Sequence, residues 1–393
     1  MPAALRSHWT LDPEVRFLNH GSFGACPQVV LEEQSRLRAR LERQPVQFMA
    51  RDLEGLLDAA RVPLAELVRA DPDDLAFVPN ATHGFNTVLR SLSFAPGDEI
   101  LATSHGYNAA RTAATFAAER AGASLVEAPV PFPLASADEV VAALEAAFTP
   151  ATRLLLIDHI TSPTGLVLPL ERLIPLAKER GVDVLVDGAH APGMVEIDLA
   201  RLSELGATYY TGNCHKWLCS PKGAAFLWVH PERQGQIRPL AISHGANDPR
   251  QSRSRFRLEL DWTGSADPTA YLCVPAAIEF LQSLFPSGWE GLREHNRELA
   301  LAARRLLCEA LDVAPPAPED MIGNLGAVIL PGEPPELAPG TPEPLQTALR
   351  EQAGVEVPVF RFAGERVLRI SAQAYNDLSE YQHLAEVLQR LLG

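Results

Sequence analysis

Between residues 75 and 186, short apolar runs alternate with helical stretches, and that alternation leaves few folds open. Residues 75–78 read as a strand, followed by a helix to about residue 92. Residues 99–102 are a second strand and 108–121 a second helix. Residues 153–157, 171–180 and 182–186 continue as strand, helix and strand. Strands separated by helices must be joined by crossovers, so the expected architecture is α/β with a mostly parallel sheet sandwiched by helices.

The rest of the chain departs from this rhythm at both ends. Residues 1–29 read as an N-terminal arm with a turn-rich stretch from Leu18 to Gly24. Residues 30–69 have helical spacing, with interruptions near Pro45 and Pro63. The main domain is therefore expected at 30–268. Past Gly264 the pattern becomes helical over 275–311, broken near 286–288. A proline-dense stretch, 315–344, encloses one apolar run at 325–330. A strand at 367–371 and a helix from Asp377 close the chain, which makes 269–393 a smaller α+β domain. A basic run, Arg250, Arg253, Arg255 and Arg257, lies before that boundary. It is read as a solvated loop rather than an anion site.

Composition excludes some functions. With 34 basic and 49 acidic side chains, the formal charge of −15 opposes general affinity for nucleic acid or anionic membrane. No apolar run has the length of a membrane span and the N-terminus has no signal-peptide core, so a cytoplasmic protein is expected. The five cysteines show no paired spacing, which suggests buried reduced thiols rather than disulfides or a metal site.

The chemistry concentrates in two places. Asp187 directly follows the 182–186 run. Lys216 lies between His215 and Trp217, in a loop after a second apolar run at 207–210. The C-terminal ends of strands in an open α/β sheet border its ligand crevice. An acid and an amine aimed at that crevice are the two protein groups that pyridoxal phosphate needs, one for its ring nitrogen and one for a Schiff base. Asn80-Ala81-Thr82 sits where a strand meets a helix. That junction suits a phosphate, and equally an ordinary helix cap.

Seven motifs in this order, Asn80-Ala81-Thr82-His83-Gly84, the stretch 104–111, His159 to Gly165, Asp187-Gly188-Ala189-His190, Gly212 to Trp217, Asp261 to Asp267 and Arg369 to Asn376, carry a resemblance. Together they resemble the class V branch of fold-type-I pyridoxal-phosphate enzymes, over roughly residues 17–380. The isopenicillin N epimerase-like subgroup fits best, on Leu18 to Ser22, 159–165 and 212–217. The resemblance implies that Lys216 is the aldimine lysine and the base of a quinonoid pathway. It implies Asp187 at the pyridine nitrogen, His190 at the ring hydroxyl and Tyr107 stacked on the ring, with His105 the other candidate. Ala81, Thr82, Asn213 and His215 would hold the phosphate. Ser265 would reach the neighbouring subunit's site, which makes a homodimer with shared active sites the expected assembly. Arg369 would bind the carboxylate of a small amino-acid-type substrate, with Ser162, Asn19 and His20 close to it.

Absence of cysteine from residue 309 onward disfavours a persulfide-forming desulfurase. An epimerase remains the first reading. A C–S lyase acting by β-elimination and a class V aminotransferase remain alternatives. A non-catalytic binding protein on the same fold is disfavoured, because Asp187, Lys216 and Arg369 are all retained.

Overall fold

The computed structural model describes residues 5–338 and 340–393; residues 1–4 of the expected arm and Pro339 of the proline-dense stretch lie outside the described residues. In chain order the strands are β1 (Arg16–Phe17), β2 (Leu75–Val78), β3 (Glu99–Thr103), β4 (Ser124–Ala128), β5 (Thr152–Asp158) and β6 (Asp183–Asp187). Then come β7 (Tyr209–Asn213), β8 (Ala225–Val229), β9 (Leu325–Ile329), β10 (Val355–Glu356), β11 (Val359–Phe362) and β12 (Glu365–Ser371).

The central sheet runs β2-β8-β7-β6-β5-β3-β4. Neighbours from β4 through β7 pair in parallel, and β8 is antiparallel to both β7 and β2. One reversed strand in an otherwise parallel sheet is the mostly parallel α/β architecture of fold type I. Period-two alternation explains its stability. Leu155, Ile157, Val184 and Val186 enter one buried cluster, while Leu154, Leu156 and Leu185 enter a second on the opposite face. Helices must cover both faces of such strands, and each buried Leu or Ile stabilises by roughly 1.5–3 kcal/mol.

A second sheet, β11-β12-β9, is antiparallel. The helices Trp289–Leu311 and Leu378–Leu392 pack beside it through Leu307, Leu384 and Leu388. Asp377 caps the latter helix, paired with Glu380 in a capping box. The parallel β1–β10 pair ties the N-terminal arm to this half of the molecule. Among the described residues, no helix is long and apolar enough to cross a membrane.

Three local expectations need correction. Pro63 does not interrupt its helix, Leu53–Val68, although Pro45 does open a new segment after Arg43. The apolar reading places a strand at 207–210, whereas β7 runs from 209 to 213 and extends through polar residues up to the lysine loop. The basic run is a solvated loop only in part. Arg250 and Arg255 stay about half exposed. Arg255–Leu260 is a helix, however, and Arg257, 2% exposed at its side chain, binds Asp73 at 2.7 Å and Asp261 at 3.0 Å. Arg253 donates to Asp58 at 2.9 Å. Asp58 and Asp73, distant in sequence, draw these two arginines into an ion network. No local pattern could show that.

Candidate active site

Parallel strands share a direction, so their C-terminal ends lie along one edge, and that edge carries the site. β5 ends in Asp158 and β6 in Asp187, which are register partners. β3 leads to Tyr107, at the start of helix Asn108–Ala121. β7 leads through Asn213 to His215 and Lys216, and β2 leads into helix Ala81–Ser91. These residues, with Ser162 and Arg369, line a cavity of about 390 Å³. That is within the range of small-ligand and cofactor pockets.

Lys216 is half-buried, and its Nζ lies 3.0 Å from Nε2 of His190. Desolvation first, and then the charge of Arg369, pull its pKa from the ordinary lysine value down to about 8, against the opposing pull of Asp187 and Asp158. About a tenth is therefore neutral amine, and nucleophilic, at pH 7, far more than for an ordinary lysine. The loop that carries it is held from behind. His20 meets the Lys216 carbonyl oxygen at 3.0 Å through Nε2, and the Tyr375 hydroxyl at 2.7 Å through Nδ1. Gly24 presses against the same loop; a Cβ there would stand 2.5 Å from the Lys216 oxygen. Only a glycine allows that approach.

Asp187 is 3% exposed and accepts from the Ala189 amide at 3.0 Å through Oδ1, while Oδ2 has no partner. Burial raises its pKa. A buried carboxylate oxygen without a donor is costly, and a protonated ring nitrogen would supply that donor. The cavity therefore fits an aromatic cofactor bearing an N–H cation at this end.

At the other end, Asn80 caps helix Ala81–Ser91 by accepting from the His83 amide at 2.8 Å. The Ala81 amide donates to Oδ1 of Asn213 at 2.8 Å. Asn213 thus anchors the helix start to the lysine loop, and Thr82 stands at the first turn, where amides and dipole favour an anion. His215 donates through Nδ1 to the Ala224 carbonyl at 2.8 Å, so Nε2 is the ring atom left to a ligand. Burial lowers its pKa to about 4. An anion at Nε2 would oppose that effect.

Arg369 projects from β12, opposite Ala327. Its Nη1 donates to the Ser162 carbonyl, and its Nη2 donates to the Ser22 hydroxyl at 3.0 Å. Burial brings its pKa down to about 10, leaving it charged at neutral pH. Tyr107 lines the cavity and is 42% exposed. His105 is buried behind it, bonded to the Thr164 hydroxyl at 2.9 Å and packed edge-on to Phe362. Of the two aromatic candidates only Tyr107 reaches the cavity.

Some expected residues are placed elsewhere. His20 is behind the lysine loop rather than in the cavity wall. Asn19 also stands outside the wall, accepting from the Ser22 hydroxyl at 2.6 Å and facing Glu356. Ser265 is exposed and outside the cavity of its own chain. Asp158 went unrecognised in the sequence. It is buried, and desolvation, followed by the charge of Asp187, raises its pKa well above the ordinary value. Its signal was available, since it ends a strand at the same edge as Asp187. Ser22 and Phe23 of the N-terminal turn also line the cavity.

Comparison with known proteins fits this arrangement. The family model described as aminotransferase class-V matches residues 18–316. Isopenicillin N epimerase of Amycolatopsis lactamdurans is 38% identical over 99% of this chain and 98% of its own length. A putative L-cysteine desulfhydrase 1 of Oryza sativa subsp. japonica is 32% identical over 96% of this chain and 83% of its length. Among solved structures, a mutant of C-DES with glycine covalently linked to its PLP cofactor superposes with a TM-score of 0.80. It is 23% identical and covers 98% of both chains.

Proposed function

The chain belongs to the class-V aminotransferase family of pyridoxal-phosphate-dependent enzymes, and from that premise we propose that it is an isopenicillin N epimerase-like enzyme working at the α-carbon of a small amino-acid-type substrate. The observation that carries the reading is one cavity holding a lysine amine shifted to about 8, an unpartnered buried carboxylate oxygen on Asp187 and the guanidinium of Arg369. When bound, pyridoxal 5'-phosphate supplies an aldehyde that condenses with amines and a ring that withdraws electrons from the α-carbon.

The protein's own groups divide the remaining work. Thr82 at the helix start, Asn213 and His215 would hold the phosphate beside Ala81, whose amide anchors Asn213. Asp187 Oδ2 would accept from a ring N–H and keep that proton in place. Tyr107 would stack on the ring. Arg369 forks onto the α-carboxylate, and Ser162 and Ser22 fix the plane of the guanidinium. Lys216 Nζ, as a neutral amine, would take the α-proton, and the charges of Asp187 and Asp158 would favour the ammonium that results.

Epimerisation is favoured by the likeness to isopenicillin N epimerases, of which a second, from Streptomyces clavuligerus, is 35% identical over 99% of the chain. A β-eliminating C–S lyase is the second reading, favoured by the similarity to desulfhydrases. Persulfide chemistry is disfavoured, because Cys26, Cys214, Cys219, Cys273 and Cys308 are all buried and none lines the cavity. We also infer a homodimer, with Ser265 completing the partner's site. Incubation with L-amino acids and cysteine conjugates in D₂O separates the readings. Inverted product carrying α-deuterium supports the epimerase; pyruvate with a released thiol supports the lyase. A Lys216→Ala protein that turns over normally would end both.

A further inference from the structure

We propose that Trp217 is a positioning residue, whose indole N–H selects the His190 tautomer protonated on Nε2, so that His190 meets the Lys216 amine as a donor and not as a base. The argument is one of counting protons. An indole nitrogen can only donate. Trp217 Nε1 lies 3.3 Å from His190 Nδ1, so Nδ1 must accept. The side chains are buried, Trp217 being 1% exposed and His190 2%. His190 is neutral, because burial first, and then the charges of Lys216, Arg369 and His20, push its pKa well below the ordinary value. A neutral imidazole carries one ring proton, which must then reside on Nε2. Nε2 is the atom 3.0 Å from Lys216 Nζ.

The opposite tautomer would set two N–H donors against each other between two buried side chains. With Nε2 protonated, the group facing Nζ complements the lone pair of a neutral amine and repels an ammonium. Other groups acting on that amine are Asp187 and Asp158 from the strand ends and Arg369 from β12. Among the described residues it is the indole that meets His190 Nδ1, and so decides where the histidine proton sits. Under the function proposed above, the same N–H faces the ring oxygen of the cofactor. That consequence rests on the cofactor reading, whereas the tautomer does not.

The test uses the full-length apoprotein labelled with ¹⁵N at histidine. Ring nitrogen shifts in the wild type should give His190 as the Nε2–H form, and Trp217→Phe should move population to the Nδ1–H form. In parallel, the rate at which cyanate carbamylates the Lys216 peptide is followed against pH, because only the neutral amine reacts. The wild-type midpoint is expected near 8. In Trp217→Phe it should rise by about one unit, making the amine roughly tenfold slower to react at pH 7. In a His190→Gln background the same substitution should leave the midpoint in place. A wild-type Nδ1–H tautomer overturns the proposal, as does an equal shift in the His190→Gln background. The wild-type spectrum decides the matter even if the phenylalanine variant fails to fold. A protein that ignored pyridoxal phosphate altogether would end the functional reading and leave this one standing.

Discussion

Replacing Arg369 with glutamine tests how the cavity distinguishes an amino acid from a simple amine. The guanidinium has five N–H groups. Nη1 faces the Ser162 carbonyl and, at 3.4 Å, the Ser162 hydroxyl, Nη2 donates to the Ser22 hydroxyl, and Nε–H has no partner. The free Nε–H and the second N–H of Nη2 are enough for a two-pronged grip on a carboxylate. A pKa near 10 keeps the group charged at assay pH. Hydrogen bonds from a charged donor contribute about 1.5–3 kcal/mol each, and a glutamine amide would restore about 1 kcal/mol of the pair. The net loss is then about 2–5 kcal/mol, or roughly 30- to 4000-fold in affinity. The assay titrates the cofactor-loaded protein with an amino acid and with the amine left after its decarboxylation, following the visible cofactor band. Binding of the amino acid should fall by that factor while binding of the amine changes less than about threefold. Loss of the neighbouring positive charge should also raise the Lys216 pKa, since Arg369 is the second-largest influence lowering it. Amino-acid binding within threefold of wild type would refute the assignment.

Other substitutions probe separate links. Asp187→Asn should weaken retention of pyridoxal phosphate on gel filtration at least about tenfold, and Asp158→Asn less than about threefold; equal losses would make Asp158 the ring partner instead. Gly84→Ala would bring a Cβ to 2.1 Å from Oγ1 of Thr211, so it should lower unfolding stability by about 1–3 kcal/mol in a urea titration, and Thr211→Ala should relieve it only in part, because the Cβ of residue 211 would still stand 2.8 Å away. Asp58 is held well below the usual carboxylate range, chiefly by its hydrogen bond from Arg253. Its stabilisation is therefore present above its unfolded pKa and is lost as pH falls through the lowered folded value. Asp58→Asn should flatten the decline in stability below about pH 4, and an unaltered acid limb would exclude that contribution.

Much of the scaffold was legible because burial on both faces leaves continuous apolar runs. β2 and helix Asn108–Ala121 lie where the periodicity puts them. β4 and β11 escaped because their half-exposed patterns, Ser124–Ala128 and Val359–Phe362, offer no such run. Lys216, Asp187 and Arg369 share one cavity, as motif order suggested: Asp187 and Lys216 end or follow strands at one edge of the central sheet, and Arg369 reaches that edge from β12 of the second sheet. The position of His20 was not legible. Its ring is bonded to the lysine loop and to Tyr375, contacts that span 196 and 355 residues of chain. No local spacing encodes them. Asp158 was readable in principle, from the strand-end rule that singled out Asp187.

Pairing of β1 with β10, together with the grip of Arg369 on Ser22, brings the start of the chain and its last tenth to the same wall. A polypeptide leaves the ribosome N-terminus first, so Lys216 is synthesised well before the segment that completes its surroundings. Translation of residues 355–376 is therefore what finishes the compartment. An unfinished product released before that point would expose its reactive amine to any passing aldehyde.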